Sequence, residues 1–362
     1  MQRLIVLDLR RMVLFLASVM LLIPAARPVL AGDPPPATTP PTTDAAPAPA
    51  PERITDLMRL RAAELQTIVA TPLAKQFLAA TASLAEPSAR VIYRDRAKGI
   101  ALSQRAYDAM TPEAQASLTA RECTPQFYYE TGYGSPLVYV RVLDLVAPHL
   151  PRVDRPKLLD FGYGTIGQLQ LLAHCGVDAH GVDVEPVFEA LYSEPGDVGP
   201  MGGGSVAIHT GQWPAEERLR TAVGGGYAAI TSKNTLKKGY LHPTPPPGQT
   251  VDPSRLVHLG VSDEEFLKQV HDALVPGGVF AIYNICPPQN PPDQEYIPWA
   301  DGLSPFPREA YERAGFEVIA FDAVDQAWVL DCFRRLGYLE GVAPEDAPKQ
   351  FLCWYTIVRR RN

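Results

Sequence analysis

The chain has 362 residues, 46% of them hydrophobic and 20% charged, the balance of a globular protein with ample material for a core. A formal net charge of −7 with no basic block gives no footing to a nucleic-acid surface. The five cysteines form no C-x-x-C pair and no zinc spacing, and they argue neither for a disulfide scaffold nor for a metal centre.

The first segment, MQRLIVLDLRRMVLFLASVMLLIPAARPVLAGD, opens with a positive stretch carrying Arg3, Arg10 and Arg11 and continues into an apolar run over 12–23. That run is shorter than the ~20 residues a spanning helix needs, and it lacks the polar face of a buried amphipathic helix. Val29 and Ala31 stand at the positions a signal peptidase reads, so residues 1–31 read as a secretory signal, cleaved or retained as an N-terminal membrane anchor. The expected location is the periplasm or envelope; without a working signal it is the cytoplasm. Residues 32–52, dense in Pro, Ala and Thr, read as a semi-extended linker.

From 53 to 150 the pattern predicts a helical extension. ITDLMRLRAAELQTIV and LAKQFLAA have helical spacing interrupted at Pro72, a further helix is expected over 97–110, and Thr111-Pro112 opens another. The aromatic stretch QFYYETGYG follows; it reads either as a lid over a ligand or as a packing cluster between the extension and the rest.

Over 151–362 the pattern changes to strands alternating with helices. KLLDFG, AHGVDV, VAIHTG, YAAITSKN, GVFAIYNI, FEVIAFD and LCWYTIVRR are the strands. This predicts an α/β fold with a doubly wound, mostly parallel, seven-stranded sheet, whose ligand lies outside the carboxyl ends of the strands.

The first strand runs into a glycine turn, KLLDFGYGTIGQLQ. Gly162, Gly164 and Gly167 satisfy G-x-G-x-x-G, which lets backbone approach a ligand closely at a helix amino end. Asp183, ending the second strand, can accept both hydroxyls of a ribose. Those features suit a nicotinamide dinucleotide or S-adenosylmethionine. Asp160, just before the turn, favours a ligand carrying an ammonium group and would repel a pyrophosphate.

LLDFGYGTIG, HGVDVEP and LVPGGVFAIYN, taken in this order, resemble the motifs of the class I S-adenosylmethionine-dependent methyltransferases, and AGFEVIAFD their penultimate strand region. The likeness covers about 155–361. It implies a Rossmann-like methyltransferase fold that binds S-adenosyl-L-methionine. Asp160 would hold the methionine amino group, Gly162, Tyr163 and Gly164 the turn beside methionine and ribose, Asp183 the ribose hydroxyls, and Val184 the adenine. Trp213, in HTGQWP after the third strand, could stack on a purine or belong to the core. One departure stands out: the family's third glycine position is Ile166, with Gly167 one residue later.

The fourth strand ends in ITSKNTLKKGYLHP, which the resemblance places beside the methyl acceptor. Asn234, Tyr240 and His242 are the residues expected to orient or deprotonate it, with Lys233 also polar; Lys237 and Lys238 read as a solvated helix face. The expected activity is methyl transfer to a small molecule or a protein side chain. An exported, non-catalytic binding protein of the same fold is the alternative.

Overall fold

The computed structural model describes residues 53–131, 134–289 and 295–361. The expected signal, the whole linker, and Gly132 and Tyr133 of the aromatic stretch lie outside the described residues.

Neighbouring residues of the central strands point to opposite faces, and both faces are buried. Leu158, Ala229 and Ala281 join one apolar cluster. Their neighbours Leu159, Ile230 and Ile282 join another. A strand apolar on both faces must be covered by helices on both, which is the condition for a parallel sheet. The strands are β4 (Lys157–Phe161), β5 (Asp178–Asp183), β6 (Gly199–Met201), β7 (Gly204–Thr210), β8 (Tyr227–Lys233), β9 (Leu274–Cys286), β10 (Phe316–Val324) and β11 (Leu352–Arg360), following β1 to β3 of the extension. They form one eight-stranded sheet in the order β10-β11-β9-β8-β4-β5-β7-β6. The pairs β4–β5, β4–β8, β5–β7 and β8–β9 are parallel; β11 is antiparallel between β9 and β10. The seven expected strands are all present, and the short β6 adds an antiparallel edge beside β7.

The order of strands changes direction between β4 and β8, the switch point at whose carboxyl ends sheets of this kind place a ligand. The helix Asp263–Ala273 leads into β9; Ser262 caps it, accepting the Glu265 N–H at 3.2 Å, and three acids in its first turn suit the positive end of its dipole.

The extension holds helices Ile54–Leu65, Pro72–Ala79 and Val140–Val146, but also a three-stranded antiparallel sheet of β1 (Arg90–Asp95), β2 (Ile100–Ser103) and β3 (Thr119–Cys123), in the order β2-β1-β3. The helix expected over 97–110 is therefore a strand followed by a short helix, Gln104–Asp108. A tight turn explains the difference. Asp95 accepts the Lys98 N–H at 3.2 Å and Gly99 takes φ +64°, reversing the chain so that β2 pairs with β1. Hairpin pairing then outweighs a helical spacing that is only local.

Extension and main sheet share one core, in which Met58, Phe77 and Leu143 pack with Leu158, Leu169 and Ala281. Arg141 adds a two-pronged bond to Asp325 at 2.8 and 2.7 Å, and the Trp328 indole N–H donates to the Ile68 carbonyl at 3.0 Å. Cys123, Cys286, Cys332 and Cys353 are buried and Cys175 is half-buried, all as free thiols. No helix among the described residues is long and apolar enough to cross a membrane.

Candidate functional site

Parallel pairing of β4 with β8 sets Asp160 opposite Thr231. The Thr231 hydroxyl donates to Asp160 Oδ1 at 3.1 Å, and Gln168 Nε2, from the helix after the turn, donates to Oδ2 at 3.0 Å. Tyr139 of the extension meets the Thr231 hydroxyl at 2.6 Å, so a chain of hydroxyls runs from the extension to the carboxyl group. Asp160 is 2% exposed. Burial pushes its carboxyl up to about 6, against the pull of Gln168, Lys233 and Thr231. Beside it, the buried Gln168 Oε1 has no hydrogen-bond partner. A carboxylate and an orphan amide oxygen together call for a donor, and an ammonium group is one.

The turn after β4 takes its shape from two left-handed residues, Gly162 at φ +72° and Gly164 at φ +60°. A Cβ on Gly162 would also lie 2.1 Å from Thr235 Oγ1, so no larger residue fits. The turn is bound to the next strand: Gly162 N–H donates to the Val182 carbonyl at 2.8 Å and Gly164 N–H to Asp183 Oδ2 at 3.2 Å. Asp183 Oδ1 accepts the Glu185 N–H at 3.1 Å. Desolvation raises this half-buried carboxyl to about 7 even with those backbone donors. Val184 follows at 62% exposure, an apolar surface at the strand tip.

The other turn residues face inward. Tyr163 is 3% exposed, packed on Phe188 and Tyr192, with its hydroxyl unpartnered. Only its backbone belongs to the turn: its carbonyl accepts from Gln168 Nε2 at 2.5 Å. Gly167 answers the question of the displaced third glycine. A Cβ there would meet Pro136 Cγ at 2.8 Å and Tyr129 Cδ1 at 3.2 Å, so this glycine admits the extension and not a ligand. The aromatic stretch packs accordingly. Tyr128 and Tyr129 are buried, their hydroxyls donating to Asp197 at 2.8 Å and to the Ala85 carbonyl at 2.8 Å.

Three expectations need correction. Trp213 is 3% exposed between Phe161 and Phe266, a wall of the second core cluster with no free ring face to stack on a purine. His242 sits at the surface, its Nε2 2.8 Å from Asp263 Oδ2, tying a loop to the start of the next helix. Asn234 stands at the β8 tip as expected, but in a left-handed conformation at φ +65°, with Oδ1 accepting the Ile285 N–H at 2.7 Å. Its carbonyl oxygen therefore holds β8 to β9 and is not free to polarise an acceptor. Tyr240 is half-buried, and burial raises its hydroxyl well above the usual range, so it is a hydrogen-bond donor and not a base.

Sequence reading missed Gln168, Thr231 and Tyr139, and Lys237 is buried where a solvated helix face was expected. Thr231 could have been found from the pairing of two parallel strands at equal distance from their tips. Lys237 could not: four per cent exposed, its ammonium donates to the Ile285 carbonyl at 2.9 Å and the Trp299 carbonyl at 3.1 Å. Burial pulls its pKa down to about 8. Lys233, two residues beyond Thr231 on the same face of β8, stands beside Asp160; burial lowers its pKa and Asp160 opposes the change. Among the described residues no group of three or more His, Cys, Asp or Glu could hold a metal ion.

No family model matches the chain, and no curated protein matches it. Solved structures do. A SAM-dependent methyltransferase from Geobacter sulfurreducens, in complex with S-adenosyl-L-homocysteine, is 13% identical over 61% of this chain and 90% of its own, with a TM-score of 0.33. The cyclopropane synthase MmaA2 from Mycobacterium tuberculosis is 12% identical over 65% of this chain and 88% of its own, with a TM-score of 0.38. Phosphoethanolamine N-methyltransferase 2 of Haemonchus contortus, in complex with phosphomonomethylethanolamine and S-adenosylhomocysteine, is 12% identical over 66% of this chain and 57% of its own, with a TM-score of 0.36. At such identities and scores the likeness is slight, and the weight rests on the site's own geometry.

Proposed function

We propose that the chain binds S-adenosyl-L-methionine at the β4 and β5 tips and transfers its methyl group to a small molecule or a protein side chain. One observation carries this reading. Two buried or half-buried carboxyl groups, Asp160 and Asp183, flank a turn that the left-handed Gly162 and Gly164 keep free of side chains. Asp160 and Gln168 Oε1 fit an ammonium donor, Asp183 a vicinal diol, and exposed Val184 an apolar ring. A pyrophosphate would meet Asp160, which disfavours a dinucleotide.

When bound, S-adenosylmethionine supplies an electrophilic methyl group on a sulfonium. The chain's own share is orientation, the larger part of such catalysis when the acceptor arrives unprotonated. Thr231 and Gln168 aim the Asp160 carboxylate, and the Gly164 and Glu185 amides aim that of Asp183. Thermal unfolding of the full chain tests the reading: S-adenosylhomocysteine should raise the midpoint and NAD should not. The reverse result would replace it with a nicotinamide-binding function.

A second reading, an exported binding protein without catalysis, has support of its own. Asn234 Oδ1 and the His242 imidazole are already engaged in structural bonds. The arginine-flanked apolar run at 1–31 supports export, where a cytosolic cofactor would be scarce. A reporter fused after Asp33 should be active outside the cytosol; activity confined to the cytosol would remove this reading.

A further inference from the structure

The small sheet of the extension turns one face to the main domain. Register pairs Arg90 with Cys123 and Ile92 with Arg121, so Arg90, Ile92 and Arg94 of β1 share a face with Arg121 of β3. Ile92 and Cys123, at 1% and 2% exposure, mark that face as the inner one. Arg94 and Arg121 are diagonal neighbours on it.

The two terminal nitrogens of Arg90 are engaged. They donate to the Leu191 carbonyl and grip Asp197 at 2.6 and 2.8 Å. Leu191 ends the helix Pro186–Leu191 that follows β5, and β1 packs along that helix. Arg94, four residues further on, comes within electrostatic reach of Glu185 at the helix's other end. It therefore lies toward the Glu185 end of that helix, which adjoins the β5 tip. The Arg121 guanidinium lies 4.2 Å over the Phe127 ring, which holds it in place.

Arg94 and Arg121 are half-buried, and among the described residues neither makes an ion pair within 4 Å or a side-chain hydrogen bond. Two guanidiniums of like charge, partly removed from water and unpaired, raise each other's energy. Arg94 registers this: burial, then Arg121 and Arg96, lower its pKa, with only Glu185 and the Cys123 thiol opposing them. A doubly acceptor-rich anion placed between two planar forks would satisfy both.

We propose that Arg94 and Arg121 form an oxyanion-binding site near the β5 tip, taking a phosphate group carried by a small molecule or by a lipid headgroup. The site belongs to the extension, not to the sheet, and it does not depend on the methyl-transfer reading. Inorganic phosphate and pyrophosphate, titrated into the full chain and followed by thermal unfolding, should stabilise it saturably in the millimolar range. The stabilisation should weaken with added chloride. R94Q/R121Q should weaken it by about tenfold or more, and R94K/R121K, with charge but no fork, should fall between. Should R94Q/R121Q fail to fold, protection of wild-type arginines from phenylglyoxal by phosphate serves instead. Flotation with phosphatidylglycerol vesicles, lost in R94Q/R121Q, would support the site and assign it to headgroups. No saturable response to phosphate or pyrophosphate, with equal flotation on phosphatidylglycerol and phosphatidylcholine, overturns the proposal.

Discussion

The tips of β4 and β5 and the tip of β8 differ in how their polar side chains are used. At the first two, each carboxylate oxygen accepts one donor and keeps a further lone pair: Asp160 with Thr231 and Gln168, Asp183 with two backbone amides. At the third, the polar groups are consumed by the fold. Asn234 spans to β9, Lys237 binds two carbonyls, and His242 pairs with Asp263. A polar residue at a strand tip is therefore no guide to function until its partners are known.

The sharpest way to break this contrast is D160A. Loss of a buried charged partner should weaken S-adenosylhomocysteine binding by about a hundredfold or more, measured by calorimetry. D183N, which leaves one acceptor in place, should cost about tenfold. Acidity should act on the same pair. The ligand needs both carboxyls ionised, so affinity should fall as pH drops from 7 through 6, the range set by Asp183 at about 7 and Asp160 at about 6. Affinity that stayed level from pH 8 to pH 5 would show that these groups do not carry the binding.

The β8 side should respond in stability and not in binding. K237M strands two carbonyls and should lower unfolding free energy by about 1–3 kcal/mol, read from denaturant curves. The sign of its pH effect follows from a folded pKa near 8, below that of an exposed lysine. Between that value and the unfolded one the folded state binds fewer protons, so the wild type should gain stability over that interval relative to K237M. Smallest of all, H242A removes an exposed pair and should shift stability by no more than about 0.5 kcal/mol. A large loss of methyl transfer in H242A would return this residue to the site.

The β4–β5 side was legible because local chemistry dictates it. A glycine turn after an apolar strand needs left-handed backbone at Gly162 and Gly164, and the strand ends then locate Asp160 and Asp183. The β8 segment was not legible, since burial of Lys237 depends on the carbonyls of Ile285 and Trp299, which lie 48 and 62 residues away. The extension fell between. Its helices follow from spacing and the cap at Thr111, whereas its sheet depends on a hairpin turn at Gly99 that helical periodicity conceals. Gly167 was read as part of a ligand turn, and only the approach of Pro136 and Tyr129 reveals its packing role.

The central claim is that the β4 and β5 carboxylates grip one adenosyl-amino-acid ligand. Calorimetric titration of S-adenosylhomocysteine into the full chain at pH 7.5 tests it most directly. Micromolar binding, about −8 kcal/mol, weakened about a hundredfold or more by D160A, is the predicted result. No heat at millimolar ligand, or equal heat with D160A, would contradict it.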